Sequence, residues 1–265
     1  MSDKYRKDSL GNRMKQYEYI SRIYLPRHIP VIIRLDGKAF HTFTRGFEKP
    51  FDPIFMYVMQ ETTRHLCENI QGCVFGYTQS DEITLVLTDY NTINTDAWFG
   101  YNIQKMSSVS ASLATFYFNK IFNEFLVKSQ MGGWDSDRFK QYKKALENSA
   151  CFDSRVFSIP KEEVINCLIW RQDDCIRNSI LSVGQFYFSN KDLLNKSCKD
   201  ICSMLISIGQ DWNGYTSNQK YGTACVKVET TKYNDKGESF IRKSWNLDRF
   251  TPVFKENRSY IEDLV

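Results

Sequence analysis

Cys73-Val74-Phe75-Gly76-Tyr77-Thr78-Gln79-Ser80-Asp81-Glu82-Ile83-Thr84-Leu85-Val86-Leu87 is the stretch that decides the fold. Two apolar runs, 73–78 and 83–87, flank four polar residues. That pattern reads as two antiparallel strands with Gln79-Ser80-Asp81-Glu82 at the hairpin tip. Upstream, Val31-Ile32-Ile33-Arg34-Leu35 is a short apolar run closed by Asp36-Gly37, the mark of a buried strand entering a tight turn. Between them, Asp52-Pro53 opens a helical stretch to about Asn69, with Asp52 as N-cap and Pro53 in the first turn. Met56, Met59, Thr63 and Leu66 recur on one of its faces.

Downstream, Asn94-Thr95-Asp96 starts a long helical pattern to about Val127, and a polar gap covers 129–150. Ser154-Arg155-Val156-Phe157-Ser158 then alternates as a strand. The order is β-α-β-β-α-β, which predicts an α+β, ferredoxin-like palm: an antiparallel sheet with helices on one face. Helical patterns follow over about 160–189 and 191–208, the second stopping at Gly209. Strands near 223–232 and 239–246 flank a hairpin signal, Tyr233-Asn234-Asp235-Lys236-Gly237. The expected organisation is a basic segment over 1–30, a palm-like catalytic region over 31–160, and a helical and hairpin extension over 161–265. The boundary at 160 is soft, and one domain would also satisfy the pattern.

The chain has 265 residues, with 35 basic and 31 acidic side chains and 42% apolar residues. It can bury a large core, and it is far from the composition of a histone-like or disordered chain. Within 1–30, seven basic residues face three acidic ones, so this segment carries the whole surplus of +4. A solvated helix face and a phosphate-contacting arm both account for it. Eight cysteines at irregular spacings and three histidines offer no zinc-ligand pattern and no disulfide framework. Met1-Ser2-Asp3-Lys4 opens no apolar leader, and no run is long enough for a membrane span. A cytoplasmic protein is expected, with a mitochondrial one not excluded, although Asp3 and Asp8 run against a transit peptide.

In this topology the end of the first strand and the tip of the central hairpin meet at one edge of the sheet. Asp36 and Asp81 converge there, with Glu82 beside them. Two carboxylates at one edge suit a pair of hard divalent cations that keep most ligand positions for triphosphate oxygens. Gly37, lacking a Cβ, lets its carbonyl approach a metal. Both dipeptides also serve as ordinary turn chemistry. Lys105, Ser108 and Ser112 form one helical stripe, read either as a triphosphate contact or as a packing face. Lys38-Ala39-Phe40-His41 follows the first carboxylate and sets an aromatic ring and an imidazole beside it. Arg171, Asp174 and Asn178 share a helix face, which is also what a salt-bridged surface looks like. The central strands carry no aromatic stacking platform, which weakens a purely RNA-binding reading of this plan.

Arg34-Leu35-Asp36-Gly37-Lys38-Ala39-Phe40-His41, Phe47-Glu48-Lys49-Pro50, Tyr77-Thr78-Gln79-Ser80-Asp81-Glu82 and Trp170-Arg171-Gln172-Asp173-Asp174-Cys175 together resemble the tRNA-histidine guanylyltransferase family of 3′-to-5′ polymerases. The likeness runs from about residue 5 to residue 250. It implies that Asp36 and Asp81 ligate two Mg²⁺ ions, with the Gly37 carbonyl, and that Glu82 supports that shell. It implies that Lys38, Ala39, Phe40, His41 and Ser80 line a nucleotide pocket, with Lys49 and Lys105 near the phosphates. Arg171, Asp174, Arg177 and Asn178 would hold the RNA 5′ end. ATP, GTP and other nucleoside triphosphates are the implied substrates, tRNA the partner, and a homotetramer the assembly, with no membrane. One departure stands out. The family continues its Trp-Arg-Gln helix with His-Ile-Asn-Asn, where this chain has Ile176-Arg177-Asn178-Ser179. That resembles the guanylyltransferase-like branch, which repairs 5′-truncated tRNA by template pairing. Untemplated guanylyl transfer to histidine tRNA, a nucleotide cyclase and a non-enzymatic RNA-binding module are the alternatives.

Overall fold

The computed structural model describes residues 9–131, 137–233 and 238–265. The elements of the catalytic half are α1 (Ser9–Ile20), β1 (Val31–Gly37), α2 (Phe40–Phe43), α3 (Pro53–Asn69), β2 (Cys73–Gln79), β3 (Glu82–Leu87), α4 (Ile103–Met131), α5 (Asp137–Asn148) and β4 (Phe152–Ser158). They are followed by α6 (Lys161–Tyr187), α7 (Asn190–Leu193), α8 (Cys198–Ser207), α9 (Ser217–Tyr221), β5 (Thr223–Tyr233), β6 (Ser239–Asp248) and α10 (Ser259–Glu262). The hairpin turn 234–237 and the basic residues Lys4, Arg6 and Lys7 lie outside the described residues.

The six strands form one antiparallel sheet in the order β4-β1-β3-β2-β5-β6. The first four are in the ferredoxin-like order. β1 takes its central place because Val31, Ile32, Ile33 and Leu35 are all fully buried, a sequence with no solvent side. The two added strands join the same sheet through the pairing of Gly76 with Cys225.

Alternation along the strands sends side chains to two cores. Val31, Ile33, Leu35, Ile83 and Leu85 pack on Val58 and Leu66 of α3 and on Phe118 and Phe122 of α4. Ile32, Phe75, Tyr77 and Val86 pack on Val164, Ile165 and Leu168 of α6 and on Phe254 and Ile261. The two helices of the ferredoxin-like plan, α3 and α4, share one face as expected, and the added helix α6 covers the second, because that face of the sheet is also apolar. Burying each such side chain stabilises by about 1.5–3 kcal/mol. The far end of α6 builds a third cluster with α8, from Ile180, Val183, Ile201 and Leu205.

Three expectations change. The polar stretch 129–150 contains α5, whose Phe139, Tyr142 and Ala145 are buried at three-residue spacing amid lysines. The long helix begins at Ile103, not at 94–96, because a 3₁₀ turn at Trp98–Tyr101 with left-handed Phe99 and Gly100 precedes it. The pattern over 191–208 is two helices, each opened by its own capping box, Ser189 with Asp192 and Ser197 with Asp200. By contrast, Asp52 caps α3 as expected, its carboxylate accepting from Ile54 and Phe55 N–H, with Pro53 in the first turn.

Candidate active site

β1 and the β2–β3 turn meet at one sheet edge. Asp36 stands opposite Glu82 in the β1–β3 register, and the Gly37 N–H donates to the Asp81 carbonyl at 3.1 Å. Ser80 adopts a left-handed φ of 49°, so the turn closes in two residues. Its hydroxyl donates to the Asp81 carboxylate at 3.1 Å. Burial pushes the Asp81 carboxyl above the usual aspartate value, and the negative charge of Asp36 pushes it further.

That mutual repulsion is what a divalent cation removes, so the donor set fits a Mg²⁺ site. Among the described residues, no cluster of three or more His, Cys, Asp or Glu is placed to hold a metal. Were Mg²⁺ bound there, the protein would offer two carboxylates and a carbonyl, which would leave positions for water and triphosphate oxygens, the usual arrangement for that ion. The place of Gly37 has a second cause. A Cβ there would lie 2.3 Å from the Phe40 ring.

Glu82 turns away from the edge. It is 8% exposed and accepts from Arg171 Nε at 2.7 Å across the sheet–α6 interface. Burial raises its carboxyl while Arg171 and then Arg34 oppose the rise. Arg171 also donates to Asp174 at 2.6 Å, and Asp174 accepts from Arg177 and from Asn178. The four α6 residues expected at the RNA end thus form one ionic chain running from the hairpin to the helix surface. Next to Arg171, Gln172 fixes the position of α6 by donating to the Pro252 carbonyl at 2.9 Å and accepting from Phe254 N–H at 2.7 Å.

The remaining expected residues are spread differently. Lys38, Ala39 and His41 are exposed just beyond Gly37, and Ala39 takes a left-handed φ of 56° to start α2. Phe40 is only 3% exposed and packs on Phe43, Phe55, Phe118 and Phe152, so its ring belongs to the core and lines no open pocket. Lys105 lies near the start of α4, its ammonium 5.8 Å from the Phe99 ring centroid, away from the carboxylate edge. The edge is level with a later part of α4, where the Thr115 hydroxyl accepts from Phe152 N–H and Phe152 pairs with Gly37. The Ser108 and Ser112 hydroxyls donate back into their own helix.

A cavity of about 180 Å³ opens beside the turn, between the loop before α3, the end of β2, α6 and α9. Lys49, Ser80 and Asn178 from the expected set line it, together with Gln79, Asn218 and Gln219. Asn218 and Gln219 carried no sequence signal. They are brought there by α9, which Tyr77 anchors by donating its hydroxyl to the Tyr221 carbonyl at 2.8 Å.

The family described as Thg1, tRNAHis guanylyltransferase, matches residues 11–160. The chain belongs to the Thg1 family. A bacterial Thg1-like protein solved in complex with ATP superposes with a TM-score of 0.82 at 38% identity, covering 97% of this chain and 99% of the other. The same description with GTP bound gives 0.78 at 37% identity, with the same coverage. An uncharacterized protein of Acanthamoeba polyphaga mimivirus is 30% identical over 91% of this chain and 84% of its own length. The tRNA(His) guanylyltransferase of Schizosaccharomyces pombe is 29% identical over 63% of this chain. This chain spans about half the length of that enzyme and of its mouse and fly relatives, at 56%, 46% and 48%. Members of the Thg1 family are tRNA guanylyltransferases, so the chain is a nucleotidyltransferase with the palm-like fold of its neighbours. Among the described residues, no helix is long and apolar enough to cross a membrane.

Proposed function

We propose that this Thg1 family member adds nucleotides in the 3′-to-5′ direction to the 5′ end of truncated tRNA, choosing each by pairing with the opposite strand. The carrying observation is the Gly37–Asp81 clamp, which holds two carboxylates at one edge beside a cavity that Gln79 and Ser80 of the same turn line. One departure and one likeness favour the repair branch over guanylyl transfer to histidine tRNA. The α6 motif continues as Ile176-Arg177-Asn178-Ser179. The bacterial Thg1-like structures are also more than a third identical to this chain over nearly its whole length.

The reaction has two displacements at phosphorus. The 5′-monophosphate of the RNA attacks the α-phosphorus of ATP, forming a phosphoanhydride and releasing pyrophosphate. The 3′-hydroxyl of the incoming nucleotide then attacks the activated 5′ phosphate, forming a phosphodiester and releasing AMP. Asp36, Asp81 and the Gly37 carbonyl would hold two Mg²⁺ ions. Such ions supply charge neutralisation to attacking and leaving oxygens alike, so one edge serves both steps. Lys49 at the cavity wall offsets phosphate charge, and Ser80, by bonding the Asp81 carboxylate, orients it. Glu82 keeps the turn docked on α6. The homotetramer is part of this reading, and sedimentation of the full chain tests it.

The functional test is an end-labelled, 5′-truncated tRNA with ATP, the four nucleoside triphosphates and Mg²⁺. Template-matched growth at the 5′ end supports the proposal. Growth by a single guanylate on full-length histidine tRNA alone would replace it with the guanylyltransferase reading. Cyclic nucleotide formed without RNA would point instead to a cyclase.

A further inference from the structure

We infer that Trp170 is a stacking platform for a nucleobase at the carboxylate edge, an inference that rests on the proposed nucleotide chemistry and adds a contact to it. Trp170 is 54% exposed, and two other large side chains of α6, Phe186 and Tyr187 at the C-terminal end of the helix, are exposed as well. Two guanidiniums lie against its ring. The Arg171 guanidinium carbon is 4.2 Å from the ring centroid and that of Arg34 is 5.5 Å away. Arg171 cannot swing aside, because it is buried and paired with both Glu82 and Asp174. The ring is therefore positioned before any ligand arrives, and a preorganised ring loses little entropy on binding.

Its surroundings select the ligand. Arg34 lies two residues before Asp36, on the same face of β1. The Arg34 Nε is buried and has no hydrogen-bond partner. Across the β1–β4 pair, Arg34 stands opposite Arg155, whose exposed guanidinium comes no closer than 4.0 Å to its one acidic neighbour, Asp153. A flat apolar ring, the exposed Arg155 guanidinium and a nearby pair of carboxylates match a planar base carrying phosphate. They do not match an apolar protein surface, which would leave the Arg155 charge unpaired on docking.

The base can come from an incoming nucleotide or from the RNA terminus, and two arms of one experiment separate these sources. The full chain is mixed with ATP or GTP alone, following tryptophan emission against Trp170→Phe. It is mixed separately with a 5′-monophosphorylated RNA hairpin carrying 2-aminopurine as its terminal base. In the arm whose base stacks, quenching is expected, and Trp170→Ala weakens binding and raises KM by roughly 5- to 150-fold. Trp170→Phe keeps a ring and stays within roughly threefold of the unaltered chain. Arg155→Gln lowers the salt slope of RNA binding by about one. Unchanged KM for Trp170→Ala in both arms, with no quenching in either, overturns the inference, and capture of an apolar protein partner would then be the use of the ring. Base-dependent quenching without 5′ extension would sink the polymerase reading and keep the platform. Undiminished extension by Trp170→Ala, with no quenching, does the reverse.

Discussion

Asp52 offers the sharpest test of how the site is held. Its carboxylate, 6% exposed, accepts four hydrogen bonds: Glu48 N–H at 2.8 Å, Ile54 N–H at 3.0 Å, Phe55 N–H at 2.8 Å and the Tyr142 hydroxyl at 2.6 Å. It therefore ties α5 to the start of α3 and pins the loop that walls the cavity. Asp52→Ala removes an N-cap, costing about 1 kcal/mol, and leaves a buried hydroxyl and the Glu48 N–H without partners, costing about 1–3 kcal/mol more. Together these give a loss of about 2–4 kcal/mol. For a chain of this size that is roughly 5–15 °C in Tm. Asp52→Asn keeps the oxygen that accepts from Ile54 and Phe55 but sets an NH2 where the other oxygen accepts from the Glu48 N–H and the Tyr142 hydroxyl, so it should retain only the N-cap share, about 1 kcal/mol, relative to Asp52→Ala. Urea unfolding of the two variants, of Tyr142→Phe and of the double variant Asp52→Ala/Tyr142→Phe closes a thermodynamic cycle. Because Tyr142→Phe removes the orphaned hydroxyl, the double variant should lose less than the sum of the single losses, with a coupling of about 1 kcal/mol or more. If Asp52→Asn is as damaging as Asp52→Ala, or if the two single losses add, the four-bond account of Asp52 fails.

Tyr142→Phe also carries a pH signature. Burial and then its bond to Asp52 hold the Tyr142 hydroxyl above the ordinary value of 10.0. The unfolded chain therefore ionises this group first, and its contribution to stability is present below pH 10 and lost as pH rises beyond it. Between pH 9 and 11 the unaltered chain should lose stability more steeply than Tyr142→Phe, as denaturant midpoints will show. Asp36→Ala and Asp81→Ala should each abolish nucleotide addition while moving Tm by no more than about 2 °C, because neither side chain is a packed core group. Full addition by either variant would sink the metal assignment. Arg171→Met strands Glu82 at the sheet–α6 interface, where the paired side chains are 7% and 10% exposed. The expected loss is about 3–5 kcal/mol, and Arg171→Met/Glu82→Gln should recover much of it, as urea midpoints of both variants will show.

The meeting of Asp36 and Asp81 at one sheet edge was legible because two local signals sufficed for it. Apolar runs placed three strands, and Asp36-Gly37 and Ser80-Asp81 marked where two of them end. Strand order then brought the ends together without any knowledge of side-chain contacts. What lies above the sheet was less legible. A period of 3.6 over 161–187 announces a helix, but which face it covers depends on both faces of β1 being apolar, and Ile32 looks the same as Ile33 in sequence. α5 was hidden because only Phe139, Tyr142 and Ala145 turn inward among its lysines, too narrow a stripe to stand out. Phe40 sits in a motif beside the carboxylates, yet four neighbouring aromatic rings draw it into the core. Asn218 and Gln219 reach the cavity because α9 is held by long-range hydrogen bonds, from Tyr77 and Gln172 to the Tyr221 carbonyl and from Ser217 to the Thr251 carbonyl, and contacts of that range leave no mark in local pattern.

The charge surplus gains a physical reading from α1. Its twelve residues bury none of their side chains, and Leu10, Met14, Tyr17, Tyr19 and Ile20 are all exposed. The chain rejoins the body only after it, where Leu25 N–H donates to the Tyr101 carbonyl and Ile103 N–H to the Ile23 carbonyl, both at 3.0 Å. A helix this short is marginal in water when nothing packs on it. Arg13 and Lys15 therefore sit on an element that the core of the described chain does not stabilise, so their charge is not there to solubilise a packed face. The other 235 residues balance in sign, so a polyanion meeting this chain finds its net attraction in the segment 1–30, of which α1 carries Arg13 and Lys15 against Glu18, and local attraction at Arg34 and Arg155. Under the proposed repair reaction, sequence choice would rest on base pairing within the RNA, which needs no field from the protein at all.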